Sequence, residues 1–214
     1  MASIYFVLDR SGSMASCIDD TIGGFNHFVN QQKIDNPEGT MSLFLFSNDI
    51  KNIYENKKIE DVEKLTYKTY VPSGSTSLLD AIGKTIKKVN NSNKPLIVIL
   101  TDGQENTSKS YSLLHIKDLI EMKKRDGWEF VFLGANQDAI ETGEQLGIPE
   151  QSAMTFNQEN VYNAFEGLSS ALGRHVSGQD ENVQFSGLER AASQPPMGSP
   201  CSTNEVFTNV LGRC

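Results

Sequence analysis

Pro95-Leu96-Ile97-Val98-Ile99-Leu100 is nearly all apolar, and no second position in it is polar enough to face water. A strand of that kind must be covered on both faces, which puts it at the centre of a parallel sheet flanked by helices. Ser3-Ile4-Tyr5-Phe6-Val7-Leu8 and Trp128 to Leu133 have the same character. Met41-Ser42-Leu43-Phe44-Leu45-Phe46 reads as a further, mostly buried strand.

Between these runs the apolar spacing turns helical. Met14, Ile18, Ile22, Phe25 and Val29 draw one stripe, ending before Asn36-Pro37. Leu79, Ile82, Ile86 and Val89 draw a second, which Asn90 to Asn93 breaks; Leu113, Ile116 and Ile120 draw a third. Ala139 to Leu146 forms a short helix, and Val161, Phe165, Leu168 and Leu172 a last one. Ile50 to Tyr54 reads as a short antiparallel partner at a sheet edge, with Lys51, Lys57 and Lys58 discouraging further pairing, and Ser152 to Phe156 as a last strand. Strand and helix alternate throughout. The expected fold is α/β: a doubly wound, mostly parallel open sheet, Rossmann-like, with helices on both faces and one short antiparallel edge strand.

Gly23-Gly24 falls inside the first helix, where close packing against the sheet accounts for both glycines better than a hinge does. From Gly173 onward Gly, Ser, Gln, Asn and Pro dominate. The expected organisation is therefore a domain over 1–172 and a polar tail over 173–214 with one short helix.

The chain of 214 residues carries a formal charge of -8, which argues against nucleic acid or anionic membrane as a partner. No run approaches the roughly 20 apolar residues needed to span a bilayer. Cys17, Cys201 and Cys214 form no CxxC pair and no even disulfide set. With no leader pattern ahead of the first strand, a cytoplasmic protein is the expectation.

Asp9-Arg10-Ser11-Gly12-Ser13-Met14 sits in the turn after the first strand and brings three oxygen-bearing side chains at alternate positions. Such turns lie at the carboxyl ends of parallel strands, where ligands bind. Oxygen donors without imidazole or thiolate suit a hard cation such as Mg²⁺. Two more loops add to the set: Thr76 stands in Gly74-Ser75-Thr76 before the second helix, and Asp102 follows the central strand in Leu100-Thr101-Asp102-Gly103.

This set resembles the metal-ion-dependent adhesion site (MIDAS) of the von Willebrand factor A (VWA) domain, whose pattern is Asp-x-Ser-x-Ser, a distant Thr and a distant Asp. The resemblance runs from about residue 3 to 172. It implies a divalent cation, Mg²⁺ with Mn²⁺ as the alternative, held by Asp9, Ser11, Ser13, Thr76 and Asp102, the two carboxylates acting through water. It also implies a protein partner that completes the coordination with an Asp or Glu, and an adaptor role in an intracellular complex, often with an ATPase of the AAA+ type. Asp102 and Thr76 are by resemblance the pair that exchanges direct and indirect coordination.

Competing readings are open to the same residues. Asp9 to Asp20 fails as a calcium-binding EF-hand, because Met14 stands where that loop needs glycine and Asp20 where it needs glutamate. A hydrolase acting on a phosphate-containing substrate could use the same cation, yet there is no assigned general base, no Gly-rich phosphate loop and no Asp-x-Asp pair; no catalytic residue is expected. A third reading makes the site structural and the tail the interaction segment. Ser77 and Asp80 fit a capping box, with Asp80 structural, and Cys17 is a packing residue. Asp49, Asn136, Gln137 and Asp138 are candidates for the rim of the metal face, and His27, His115 and His175 form no ligand set.

Overall fold

The computed structural model describes residues 2–89, 95–135 and 139–194. Its centre is a six-stranded sheet of β1 (Ser3–Asp9), β2 (Thr40–Phe46), β3 (Ile50–Lys58), β4 (Pro95–Thr101), β5 (Glu129–Ala135) and β6 (Ala153–Phe156). The strand order is β3-β2-β1-β4-β5-β6. All neighbours are parallel except β2 and β3, so the expected doubly wound sheet with one antiparallel edge is present.

β3 is longer than its sequence pattern indicates, continuing past Tyr54 to Lys58. Pairing with β2 shifts register on either side of Leu43, and Asn56 takes a positive φ of 49° there. That irregularity lets the ladder resume instead of ending.

Alternate side chains of the central strands feed two cores, as a pleated sheet requires. Phe6 and Leu8 of β1, Val98 and Leu100 of β4, and Val131 and Leu133 of β5 pack under α1 (Ile18–Asp35) and α5 (Val161–Val176). Tyr5, Val7, Ile97, Ile99, Phe130 and Phe132 point the other way, toward α2 (Leu78–Lys88), α3 (Leu113–Arg125) and α4 (Ala139–Gln145). Fully apolar strands are thereby buried on both faces.

The first helical stripe is split. Met14 lies in a 3₁₀ turn, Gly12–Cys17, and the α-helix proper begins at Ile18. Only one glycine of the pair serves packing, and not against the sheet: a Cβ on Gly24 would collide with the ring of Phe165 in α5, whereas Gly23 has nothing within 4 Å. The helices α1 and α5 approach closely enough there to need a bare backbone.

Beyond Leu172 the described chain stays on the body. α5 runs to Val176, Val183 and Phe185 are buried in the α1/α5 core, and α6 (Gly187–Ala192) lies against β6. Arg190 donates to the carbonyls of Ala153 and Glu150, and Ser193 to that of Thr155, so the β6 edge is covered. Asn90 to Asn93 and Asn136 to Asp138 lie outside the described residues, as do Cys201 and Cys214. Among the described residues no helix is long and apolar enough to cross a membrane.

Candidate metal centre

β1 and β4 are neighbours, and the sheet order reverses between them. At that reversal the connections leave in opposite directions and open a crevice at the carboxyl ends of the strands. Asp9 is the last residue of β1, and Asp102 immediately follows β4. The fold brings them together although 93 positions separate them in sequence.

Asp9 is fully buried. Its Oδ1 accepts from the Ser11 amide at 2.6 Å and its Oδ2 from the Thr101 hydroxyl at 2.5 Å. Burial pushes its carboxyl up from 3.8 to about 6; the bonds from Thr101 and Ser11 oppose the rise, and the charge of Asp102 adds to it. This carboxylate is short of positive charge. Arg10, though adjacent and 6% exposed, turns its guanidinium to the Asp49 carboxylate and the Ser73 hydroxyl. Asp49 therefore holds the first loop in place from behind.

Ser13 joins two of the loops. Its hydroxyl lies 3.0 Å from that of Ser11 and donates to Asp102 Oδ1 at 2.7 Å. Thr76 arrives on a loop fixed at both sides: Gly12 N–H donates to the Gly74 carbonyl at 2.9 Å, Ser75 N–H to Asn48, and Thr76 N–H to Asn106. Gly74 has φ of 81°, where a side chain would also strike Asn48. Gly103 is equally constrained, since a Cβ there would come within 2.8 Å of the Thr76 hydroxyl oxygen. So the Thr76 hydroxyl faces the backbone just after Asp102.

All five expected residues therefore converge on one end of the sheet, and every donor they offer is oxygen. That chemistry, with an under-neutralised buried carboxylate beside a second one, fits a hard divalent cation. Among the described residues no group of three His, Cys, Asp or Glu side chains is placed to hold a metal, here or elsewhere; at this site two carboxylates stand with three hydroxyls. His27 faces Glu166, His175 faces Glu129 and His115 lies tilted against the ring of Tyr111, three separate places. Cys17 is buried, and burial pushes its thiol up to about 11, as suits packing.

Several supporting residues carry no signal in the sequence. Tyr70 donates to the Asp9 carbonyl at 2.6 Å, and its phenol is raised well above its ordinary value by burial and then by Asp9, so it stays a donor. Gln158, from the 3₁₀ turn after β6, donates to Asp102 Oδ2 at 2.6 Å. Glu105 accepts from Leu79 N–H at the start of α2 and from Thr107 and Ser108. The Ser77/Asp80 capping box does not form: Ser77 meets the Thr107 hydroxyl, while Asp80 accepts from the Ser110 and Tyr111 amides. Asp80 is structural, but as a tether for the third loop. Asn136, Gln137 and Asp138 fall outside the described residues.

Comparison with known proteins agrees with this architecture. Proximal thread matrix protein 1 from the mussel byssus, in a structure with a zinc-occupied MIDAS motif, superposes with a TM-score of 0.58 at 14% identity, over 83% of this chain and 48% of its own. The ArnB paralog VWA2 from Sulfolobus acidocaldarius gives 0.56 at 21% identity, over 79% and 44%. The SpRpn10 VWA domain gives 0.55 at 13% identity, over 76% and 94%. This chain thus spans about half the length of the mussel and Sulfolobus proteins. Comparison with curated protein sequences gives no match. The family model of the von Willebrand factor type A domain matches residues 3–170, and the chain belongs to that family of protein-interaction modules.

Proposed function

We propose that this chain binds a protein partner by capturing an exposed Asp or Glu on a divalent cation held by Asp9, Ser11, Ser13, Thr76 and Asp102. The observation that carries the reading is the Ser13 hydroxyl, within hydrogen-bond reach of both Ser11 and Asp102, which gathers an all-oxygen donor set from separate loops. The cation supplies positive charge that three hydroxyls cannot neutralise, which is what an incoming carboxylate recognises. The zinc in the MIDAS motif of the mussel protein supports a metal at this end of the sheet. Oxygen donors alone, without imidazole or thiolate, favour Mg²⁺ or Mn²⁺ for this chain.

The chain's own residues set the geometry. Asp9 and Thr101 anchor the first loop, and Asn106 and Gly103 place Thr76. An adaptor role in an intracellular assembly, with an AAA+ ATPase as one candidate partner, completes the proposal.

Isothermal titration with Mg²⁺ and Mn²⁺ tests the site. Binding should be present in the intact protein and lost in Asp9→Ala and Asp102→Ala. A pull-down should then lose its partner in EDTA and in Asp102→Ala. Binding that survives both substitutions would sink the reading, and metal-dependent phosphatase or nuclease turnover abolished by Asp9→Ala would replace it with an enzyme.

A further inference from the structure

Asp102 is held at both oxygens. Ser13 donates to Oδ1 at 2.7 Å and Gln158 Nε2 to Oδ2 at 2.6 Å. The first donor belongs to the family motif; the second comes from a fourth loop that the motif does not include. Gln158 lies in the 3₁₀ turn Gln158–Asn160, two residues after β6 ends.

That turn is fixed. Asn160 N–H donates to the Asn157 carbonyl at 2.7 Å and Glu159 N–H to the Asn157 side chain. Asn157 N–H itself donates to the Ser193 carbonyl at 2.9 Å, and Ser193 is in turn bonded to Thr155. A side chain mounted on so restrained a loop can hold its partner in one orientation.

The chemistry of the donor matters as much as its place. An amide orients a carboxylate without cancelling its charge, whereas Lys or Arg there would supply the positive charge itself. Asp102 thus gains no counter-charge from this contact and loses its freedom to turn. An anionic oxygen bound directly to a cation lowers the cation's attraction for the next anion. Whatever restrains Asp102 from direct coordination therefore preserves the attraction for a partner's carboxylate.

We propose that Gln158 is a positioning residue that holds Asp102 back from the cation, trading metal affinity for affinity toward a partner's Asp or Glu. This rests on the metal-site reading above. Its signature is a pair of opposite changes. In Gln158→Ala, and in Gln158→Leu, which keeps the bulk but not the donor, Mn²⁺ should bind about fivefold tighter. Acetate, used as the carboxylate probe on Mn²⁺-loaded protein, should bind about fivefold more weakly.

Free Mn²⁺ is counted by electron paramagnetic resonance, and acetate by the water-proton relaxation of bound Mn²⁺. A structural role alone would weaken both affinities together, and that result overturns the proposal, as does no change in either. If Gln158→Leu behaves as the unsubstituted protein, side-chain bulk is the cause and the proposal fails. Mn²⁺ binding that Asp9→Ala abolishes but Gln158→Ala leaves untouched removes this inference and retains the site. No Mn²⁺ binding by the unsubstituted protein removes both.

Discussion

Asp9 is buried, with its two carboxylate oxygens accepting from Ser11 and Thr101. Its carboxyl is raised from 3.8 to about 6, chiefly by burial, so ionising it costs free energy in the folded state. The sign follows from linkage: with the folded value above the unfolded one, the native state binds more protons between pH 4 and 6. The contribution to stability is full below about pH 4 and is lost as pH rises through 6. In EDTA, the stability of the unsubstituted protein relative to Asp9→Asn should therefore fall by roughly 2 kcal/mol between pH 4 and pH 7. Urea denaturation at several pH values measures it, and saturating Mg²⁺ should shrink the difference. A flat profile in EDTA would mean that Asp9 meets positive charge the site does not show. At this scale the five proposed site residues are legible in the sequence because Asp9, Ser11, Ser13 and Asp102 end or follow strands and Thr76 precedes a helix, in a recognisable order. Thr101 and Gln158 are not, because each acts on a residue 92 or 56 positions away and looks locally like an ordinary strand end or turn.

Helix α2 carries the same lesson among elements. Its amphipathic stripe is plain from Leu79, Ile82 and Ile86, but its cap is not local. Glu105, from the loop after β4, accepts from Leu79 N–H at 2.8 Å, and Ser108 Oγ accepts from Asp80 N–H at 3.0 Å. A carboxylate at a helix N-terminus is favoured by both the free amides and the dipole. The third loop thus caps the helix whose first turn follows Thr76, tying the loop after β4 to the loop that carries Thr76. Asp80 strengthens the tie: although its burial acts the other way, amides of Ser110, Lys109 and Tyr111 with Lys84 hold its carboxyl below the usual range. Glu105→Ala, which leaves several amides without their acceptor, should cost about 1–3 kcal/mol in urea denaturation. It should also weaken Mn²⁺ binding, although Glu105 is not among the proposed ligands. Lost stability with unchanged Mn²⁺ affinity would separate the cap from the site.

For the molecule as a whole, the doubly wound sheet is legible because fully apolar strands and amphipathic helices alternate from Ser3 to Leu172. The segment after it is harder to read, since Val183 and Phe185 are isolated apolar residues among polar ones and form no periodic pattern. Burial of those two side chains, at 0% and 7% exposure, is what periodicity cannot register. The boundary expected at 172/173 falls inside α5, four residues before its end at Val176. Arg174 then binds Glu189 at 2.7 Å and Asp180 at 2.9 Å, drawing the returning segment onto the helix. Burying Val183 and Phe185 contributes roughly 3–6 kcal/mol as an upper figure, a large share of the 5–15 kcal/mol typical of a domain. The covered edge of β6 adds a second reason to keep the segment, because an uncovered edge strand pairs with other chains. A chain ending at Leu172 should therefore melt well below one ending at Gln194 and aggregate. Thermal denaturation and light scattering on the two truncations decide the point. If the chain ending at Leu172 melts with the one ending at Gln194 and does not aggregate, residues 173–194 are an accessory, and a deletion there can be used to test the tail as the interaction segment.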